Sequence, residues 1–299
     1  MRVFVAHVHR GWMNAFLRGP HEYLVLGDRA PEWPASVTSV TGEQAASTPV
    51  DVVVLQGPDE LDGLAARWLG GRVPGRDVPA VYVEHSTPQG RVNEMRHPAA
   101  DREDLTLVHV THFNAVFWDT GATPVTVVEH GIPDPGYRYT GELARAGAVI
   151  NEAGRRARVT GTDLLPGLER AGPLDVFGID GPRNLPQAEL HAELARRRVY
   201  AHPYRWTSLG LSLLEAMHLG LPVVALDTTE ARRAVPPDGG VVATDPAVLR
   251  EALAWLLRDP EAARTLGRAA REHALRRYGL GRFLDDWDAL LRRIAGTSS

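Results

Sequence analysis

The sequence contains no lysine; all 33 of its basic residues are arginine. A phosphate-binding loop ending in Gly-Lys-Ser/Thr is therefore impossible, because that chemistry places a lysine ammonium on the terminal phosphates. Schiff-base catalysis, including pyridoxal phosphate on lysine, is excluded as well. Any phosphate bound by this chain must be held by arginine, backbone amides or hydroxyls. Cysteine is also absent, which removes disulfides and thiolate metal sites. No apolar run approaches the ~18 residues of a membrane-spanning helix, and the N-terminus enters a strand-like Arg2-Val3-Phe4-Val5-Ala6 without a signal-peptide pattern. The expected location is cytoplasmic. Charge is not concentrated either: the net charge is −4, with no basic arm or block of one sign. No nucleic-acid partner is expected, and at most a weak peripheral membrane contact is left open.

What is present reads as an α/β protein. The 299 residues, 44% of them hydrophobic, can bury two cores, at ~150 residues per domain. Short β-branched runs alternate with amphipathic helical stretches. In the first half the predicted strands are Val3–Ala6, Tyr23–Leu26, Val52–Leu55, Ala80–Val83, Leu105–Val110 and Val125–Val128. In the second half they are Ala148–Asn151, Leu174–Phe177, Arg198–Ala201, Val223–Leu226 and Val241–Ala243. Several are continuously apolar, as parallel strands covered on both faces must be. The expected class is therefore doubly wound α/β with parallel sheets.

A boundary is expected at Gly131-Ile132-Pro133-Asp134-Pro135-Gly136-Tyr137, dividing a domain over residues 1–138 from one over 139–280. Beyond it, Gly141–Ala146 reads as helix-like. From Pro246 onward the chain reads as helical, to Arg258, from Pro260 to Tyr278, and from Gly281 to Ile294, before a frayed Gly-Thr-Ser-Ser tail. The last helix carries Phe283, Trp287, Leu290, Leu291 and Ile294 on one face, so it must pack against something.

The segment richest in chemistry runs from Ala201-His202-Pro203 through Thr207-Ser208-Leu209-Gly210-Leu211 to Glu215-Ala216-Met217-His218-Leu219-Gly220-Leu221-Pro222. A strand ends near His202, and Thr207 or Ser208 is placed to cap a helix beginning around Leu209. Gly220 would end that helix in the left-handed conformation. A helix N-terminus at the carboxyl edge of a parallel sheet favours an anion, since its amides and dipole both point at it. Gly210 lets a ligand approach the backbone. Glu215 lies in an otherwise apolar run, where a carboxylate needs partners. Two ribose hydroxyls would supply them, and so would a neighbouring loop or an arginine.

Ser208-Leu-Gly-Leu-Ser-Leu-Leu-Glu215-Ala-Met-His-Leu-Gly-Leu-Pro-Val-Val-Ala225 resembles the C-terminal signature of the retaining family 4 glycosyltransferases of the GT-B fold. Asp238-Gly239-Gly240-Val241-Val242-Ala243 is similar to the family's Asn-Gly-Gly turn and strand. Val128-Glu129-His130-Gly131-Ile132-Pro133 is similar to its hinge strand. The resemblance spans roughly residues 125–295. It implies two facing Rossmann-like domains with an interdomain cleft, an acceptor-side domain first and a donor domain second. It also implies a terminal helix, 281–299, that packs back on the first domain, with hinges near 132–142 and 279–283. By the same resemblance Glu215 holds the nucleotide ribose, and the amides of Ser208, Leu209, Gly210 and Leu211 meet a diphosphate.

Two departures from the family pattern stand out. The first glutamate of its E-x7-E pair falls on Thr207. The Gly-Arg-x4-Lys-Gly stretch that neutralises the diphosphate is matched by Gly154-Arg155-Arg156-Ala157-Arg158-Val159-Thr160-Gly161, with threonine in place of lysine. Arg155, Arg156 and Arg158 are all candidates for that charge, and an exposed arginine cluster is the plain alternative. In the first half, His7 and His9, His85 and His112 follow three predicted strands and would lie at one sheet edge. His85 best matches the family histidine that approaches the donor sugar; His9, Glu84 and His112 are further candidates for sugar or acceptor contacts. Gly11, in the Arg10-Gly11-Trp12 turn, resembles the family's glycine turn near the phosphates. Glu230, after Asp227-Thr228-Thr229, is a candidate either for ligand contact or for a structural cap.

The implied reaction is glycosyl transfer from a nucleoside-diphosphate sugar to an acceptor hydroxyl, a small molecule or a glycan, with retention of configuration. No cofactor and no metal are expected; the paired acids Asp285-Asp286 fall in the terminal helix. The alternatives are a GT-B nucleotide-sugar epimerase, or a binding subunit without turnover that the missing glutamate and lysine would suit.

Overall fold

The computed structural model describes residues 1–296; the Thr297–Ser299 end of the expected frayed tail lies outside the described residues. The chain divides into two compact units, Met1–Pro133 with the segment from Leu280 on, and Asp134–Gly279. It crosses between them at Pro133/Asp134 and again at Gly279/Leu280.

The first unit opens β1 (Arg2–Ala6), α1 (Arg10–Phe16), β2 (Glu22–Leu26), β3 (Val37–Val40), α2 (Gly42–Ser47) and β4 (Val52–Leu55). It continues α3 (Ala65–Trp68), β5 (Ala80–Glu84), β6 (Thr106–His109), α4 (His112–Phe117) and β7 (Val125–Val127). Its seven strands, in the order β3-β2-β1-β4-β5-β6-β7, pair in parallel throughout. β1, β4 and β5 are almost wholly buried, which is why Phe4-Val5, Val52–Leu55 and Val81–Val83 read as unbroken apolar runs.

The second unit holds β8 (Leu143–Val149), α5 (Ala153–Arg156), α6 (Leu165–Leu168), β9 (Leu174–Phe177), α7 (Gln187–Arg196), β10 (Arg197–His202) and α8 (Leu211–Leu219). β11 (Val223–Leu226), α9 (Ala231–Ala234), β12 (Gly240–Ala243), α10 (Pro246–Arg258) and α11 (Pro260–Tyr278) complete it. Its five strands run β12-β11-β10-β8-β9, again all parallel.

Two elements depart from the sequence reading. Gly141–Ala146, expected as helix-like, is the approach to β8 and its first residues; the strand starts at Leu143, not Ala148. Leu-Ala-Arg-Ala favours helix locally, but β8 lies between β9 and β10 and is hydrogen-bonded on both sides, and that pairing outweighs propensity. β3 was not expected at all. Of Val37-Thr38-Ser39-Val40 only the two valines are buried, too short an alternation to stand out.

The terminal helix α12 (Leu280–Ile294) belongs to the first unit. Its Phe283, Trp287, Leu290 and Leu291 enter one core with Trp12, Phe16 and Tyr23. Trp287 meets Phe16 and Trp12 edge-on at 5.0 and 5.5 Å between centroids, a favoured geometry for aromatic pairs. Arg282 fixes the start of the helix by donating to the carbonyls of Glu129 and His130 at 2.9 and 2.7 Å. No helix among the described residues is long and apolar enough to cross a membrane.

Candidate functional site

In an open parallel sheet, ligands bind at the carboxyl edge where the strand order reverses. In the second unit that point lies between β8 and β10. The loops leaving these two strands are stitched together there: the amides of Arg205 and Trp206 both donate to the Val159 carbonyl, at 2.9 and 3.1 Å. The Tyr204 hydroxyl reaches back to the carbonyl of Val149 at 2.9 Å. The loop after β11 joins them, with the Thr228 hydroxyl donating to the carbonyl of Tyr204 at 2.6 Å. Among the described residues, four of the five non-glycine residues with positive φ lie in the connections after β8, β9 and β11: Glu152, Ala157, Asp180 and Thr229. Such strain persists where surrounding structure over-determines it, and it gathers at functional edges.

At this edge α8 begins at Leu211, two residues later than expected. Gly210 is its N-cap residue, and no side chain caps it; neither Thr207 nor Ser208 does so. Thr207 is half-buried, and Ser208 and Leu209 are buried in the loop before it. The helix ends at Gly220 in the left-handed conformation, φ 96°, as its sequence implied. Gly210 itself has φ −70°, open to any residue. Its restriction is spatial: a Cβ there would come within 3.1 Å of Cε1 of His202. His202, at the end of β10, is stacked on Tyr204 at 4.5 Å, and burial holds its pKa down at about 3. Glu215 is less enclosed than its sequence context implied. Gln187 of α7 donates to its Oε1 at 2.8 Å, and Nε2 of His191 stands 3.4 Å from its Oε2. Its carboxylate therefore has protein partners without a ligand.

The three arginines separate clearly. Arg155 is exposed and forks onto Glu152 at 2.8 and 2.5 Å. Arg158 is exposed and donates to Asp163 at 2.8 Å, where Arg205 also binds. Arg156 is half-buried, with its guanidinium 5.9 Å above the Tyr204 ring; its positive charge opposes, but does not cancel, the burial that pushes the Tyr204 hydroxyl up to about 12. Thr160, in the lysine position, is fully buried and donates to the Ala157 carbonyl at 3.1 Å. Glu230 is buried at the start of α9; it is the N-cap residue, but its side chain does not cap the helix.

In the first unit the strand order reverses between β1 and β4. His9 follows β1, Gln56 follows β4 and His85 follows β5, so all three fall at the carboxyl edge near that point. The His9 and His85 rings lie 3.9 Å apart, and Trp12 meets His85 edge-on at 5.2 Å. Burial lowers the pKa of His9, against the pull of Glu84. It lowers that of His85 well below the usual value, reinforced by His9 and His130. His130, buried beside Arg282, is held at about 4 by the same cause. A neutral ring cluster results, since imidazolium ions this close would repel.

Both carboxylate oxygens of Glu84 have protein partners. Its Oε1 accepts from the Ser86 amide at 2.6 Å and its Oε2 lies 2.9 Å from Nε2 of His97. Since Nδ1 of His97 accepts from the Ala99 amide, the proton on Nε2 is the one donated to Glu84. His112 opens α4, exposed and outside the ring cluster, and His7 packs on Trp33 at 4.8 Å. Gly11 is exposed within α1, one residue into the helix rather than in a free turn. Gln56 and His202 were missed by the sequence reading; each is a polar residue ending or following a strand at the carboxyl edge, and that position was the available signal. No group of three metal-ligating side chains occurs among the described residues.

The fold and this edge define the class: the chain has the GT-B fold of glycosyltransferases. Its second unit carries the match to a family as well, with residues 182–273, about a third of the chain, matching Glycosyl transferases group 1. The chain superposes on sucrose-phosphate synthase of Thermosynechococcus elongatus with a TM-score of 0.75, at 13% identity and over all of both chains. It superposes on HepE of Anabaena, in complex with UDP, with a TM-score of 0.71 at 14% identity, over 98% of this chain and 99% of that one. A glycosyltransferase of Rickettsia africae matches with a TM-score of 0.62 at 10% identity, over 99% of each chain. Likenesses at these identities speak to the fold. No curated protein matches the sequence.

Proposed function

We propose that this chain is a glycosyltransferase that moves a sugar from a nucleoside-diphosphate donor to an acceptor hydroxyl with retention of configuration. The observation that carries the reading is the N-terminus of α8. It has no side-chain cap, it stands at the switch point of a parallel sheet, and Glu215 lies one turn along the same helix. Amides and helix dipole suit a diphosphate there, and Glu215 would exchange the Gln187 amide for a ribose hydroxyl. Arg156, the one arginine of the three not committed to a carboxylate hydrogen bond, is assigned to the diphosphate; Arg155 and Arg158 hold their own loop.

In the proposed step the bond from the anomeric carbon to the β-phosphate oxygen breaks, and its electron pair leaves with the nucleoside diphosphate. The acceptor oxygen bonds to the anomeric carbon on the same face and passes its proton to the departing phosphate oxygen. Arg156 and the amides of α8 stabilise the charge that develops on the diphosphate, so no metal enters the step. His85, with His9, is assigned to a sugar hydroxyl. HepE has been seen with UDP, with UDP and glucose, and with UDP-glucose, which makes UDP-sugars the first donors to test.

The test is proton NMR of UDP-sugars incubated with the protein and a panel of hydroxylic acceptors. The reading expects release of UDP with an α-configured product from an α-configured donor. Epimerised sugar nucleotide without acceptor would favour the epimerase. Diphosphate binding without turnover on any acceptor would favour the binding subunit, which the threonines at positions 207 and 160 would suit.

A further inference from the structure

Gln56 follows β4 and is buried, 5% exposed. Its amide nitrogen donates to the carbonyl of Ala6 at 2.9 Å and lies 3.6 Å from the sulfur of Met13. Both of these are acceptors, so the amide group has one orientation open to it: nitrogen toward β1 and α1, oxygen away from them. The oxygen, Oε1, is 3.0 Å from Nε2 of His85. An amide oxygen carries no proton, so the proton in this bond belongs to His85 Nε2. A neutral imidazole has one N–H, which leaves Nδ1 as the lone-pair nitrogen. The turn that carries Gln56 is itself fixed, because its backbone amide donates to Oε2 of Glu60 at 2.8 Å.

We propose that Gln56 is a positioning residue that locks His85 in the Nε2–H tautomer, so that His85 meets a substrate hydroxyl through Nδ1, as a hydrogen-bond acceptor. Among the titratable groups, His9 and His130 both oppose the protonation of His85; Glu84 acts on His9, and Glu60 holds the backbone of Gln56. None of them competes with the amide oxygen for the Nε2 proton. The role of the tautomer in substrate contact rests on the glycosyl-transfer reading; the tautomer itself does not.

The test is a two-bond proton–nitrogen correlation spectrum of the full-length labelled protein, with the His85 signals assigned by their loss in His85→Asn. The expected pattern is a pyridine-type Nδ1 and a pyrrole-type Nε2 throughout the neutral range. In Gln56→Leu the pattern should move toward the Nδ1–H form, and kcat should fall about 10-fold while KM for the donor stays within about 2-fold. Gln56→Glu, which keeps an acceptor oxygen at the position, should restore the Nε2–H pattern and raise the pKa of His85 by about one unit. An Nδ1–H pattern in the unaltered protein, or a pattern unchanged in Gln56→Leu, overturns the proposal. A tautomer that responds as stated with kcat unchanged keeps the lock and overturns the placement of His85 at the substrate.

Discussion

Gly161→Ala should disable the donor edge of the second unit by breaking the stitch between two loops. Gly161 has φ +73°, and a Cβ built on it would overlap the carbonyl oxygen of Pro203 and come within 2.7 Å of the carbonyl carbon. Alanine in the left-handed region costs roughly 1–2 kcal/mol. The overlap is with backbone, so no rotamer relieves it, and the Pro203 carbonyl must move by about 1 Å to reach ordinary contact. That carbonyl precedes Arg205 and Trp206, whose amides both bond to the carbonyl of Val159. Losing two such bonds costs roughly 1 kcal/mol each, giving a destabilisation on the order of 3–4 kcal/mol. Urea denaturation followed by far-ultraviolet dichroism, beside calorimetric titration with UDP, reads both consequences. Gly154→Ala, in α5 of the same connection between β8 and β9, is the matched control: φ there is not positive and nothing lies within 4 Å of the added carbon, so the change should not destabilise by more than about 0.5 kcal/mol. A Gly161→Ala protein as stable as the control, with UDP binding intact, would refute the claim that the two loops are held by this approach.

The assignment of the diphosphate charge separates two neighbouring arginines. Arg156→Ala should weaken diphosphate binding about 10-fold, whereas Arg155→Ala, which breaks an exposed pair with Glu152, should change it less than about 2-fold; calorimetric titration of both variants decides between them. Acid should destabilise the first unit through its buried histidines. His109 is fully buried, with its pKa pushed down to about 4 by burial and by His97. In the unfolded chain it titrates near ~6.5, so the unfolded state binds the extra proton between these values. Its contribution is therefore intact above about pH 6.5, is lost as pH falls toward about 4, and stays lost below. His109→Phe should flatten that acid limb in stability measured by urea denaturation between pH 7 and pH 4, and an unchanged limb would sink the assignment.

Much of the fold was legible because burial writes itself into the chain. Val52–Leu55 and Val223–Leu226 are apolar at every position because helices cover both faces of their strands, and Gly220 with Pro222 marks where a helix must stop and a strand begin. β3 and the first residues of β8 were not legible, because pairing with neighbours far along the chain decides them and local preference does not. At the site, the pattern from Ser208 to Gly220 foretold a helix that stops at that glycine, but the sequence alone could not show that α8 starts at Leu211 or that Gln187 and His191 already serve Glu215. It also could not choose among Arg155, Arg156 and Arg158, since only the fold shows which are spent on Glu152 and Asp163. Gln56 left no signal beyond its place after a strand, because its importance lies in a contact with His85, 29 residues away in the chain.

The central claim is that the N-terminal end of α8 and Glu215 form a nucleoside-diphosphate site. Isothermal calorimetry of UDP, GDP, dTDP and ADP against the unaltered protein and Glu215→Ala tests it most directly. The account predicts selective binding of one diphosphate, weakened about 10-fold or more in the variant, equivalent to at least ~1.4 kcal/mol, with urea stability otherwise retained. No binding of any of the four to the folded protein, or equal affinity in Glu215→Ala, would contradict it.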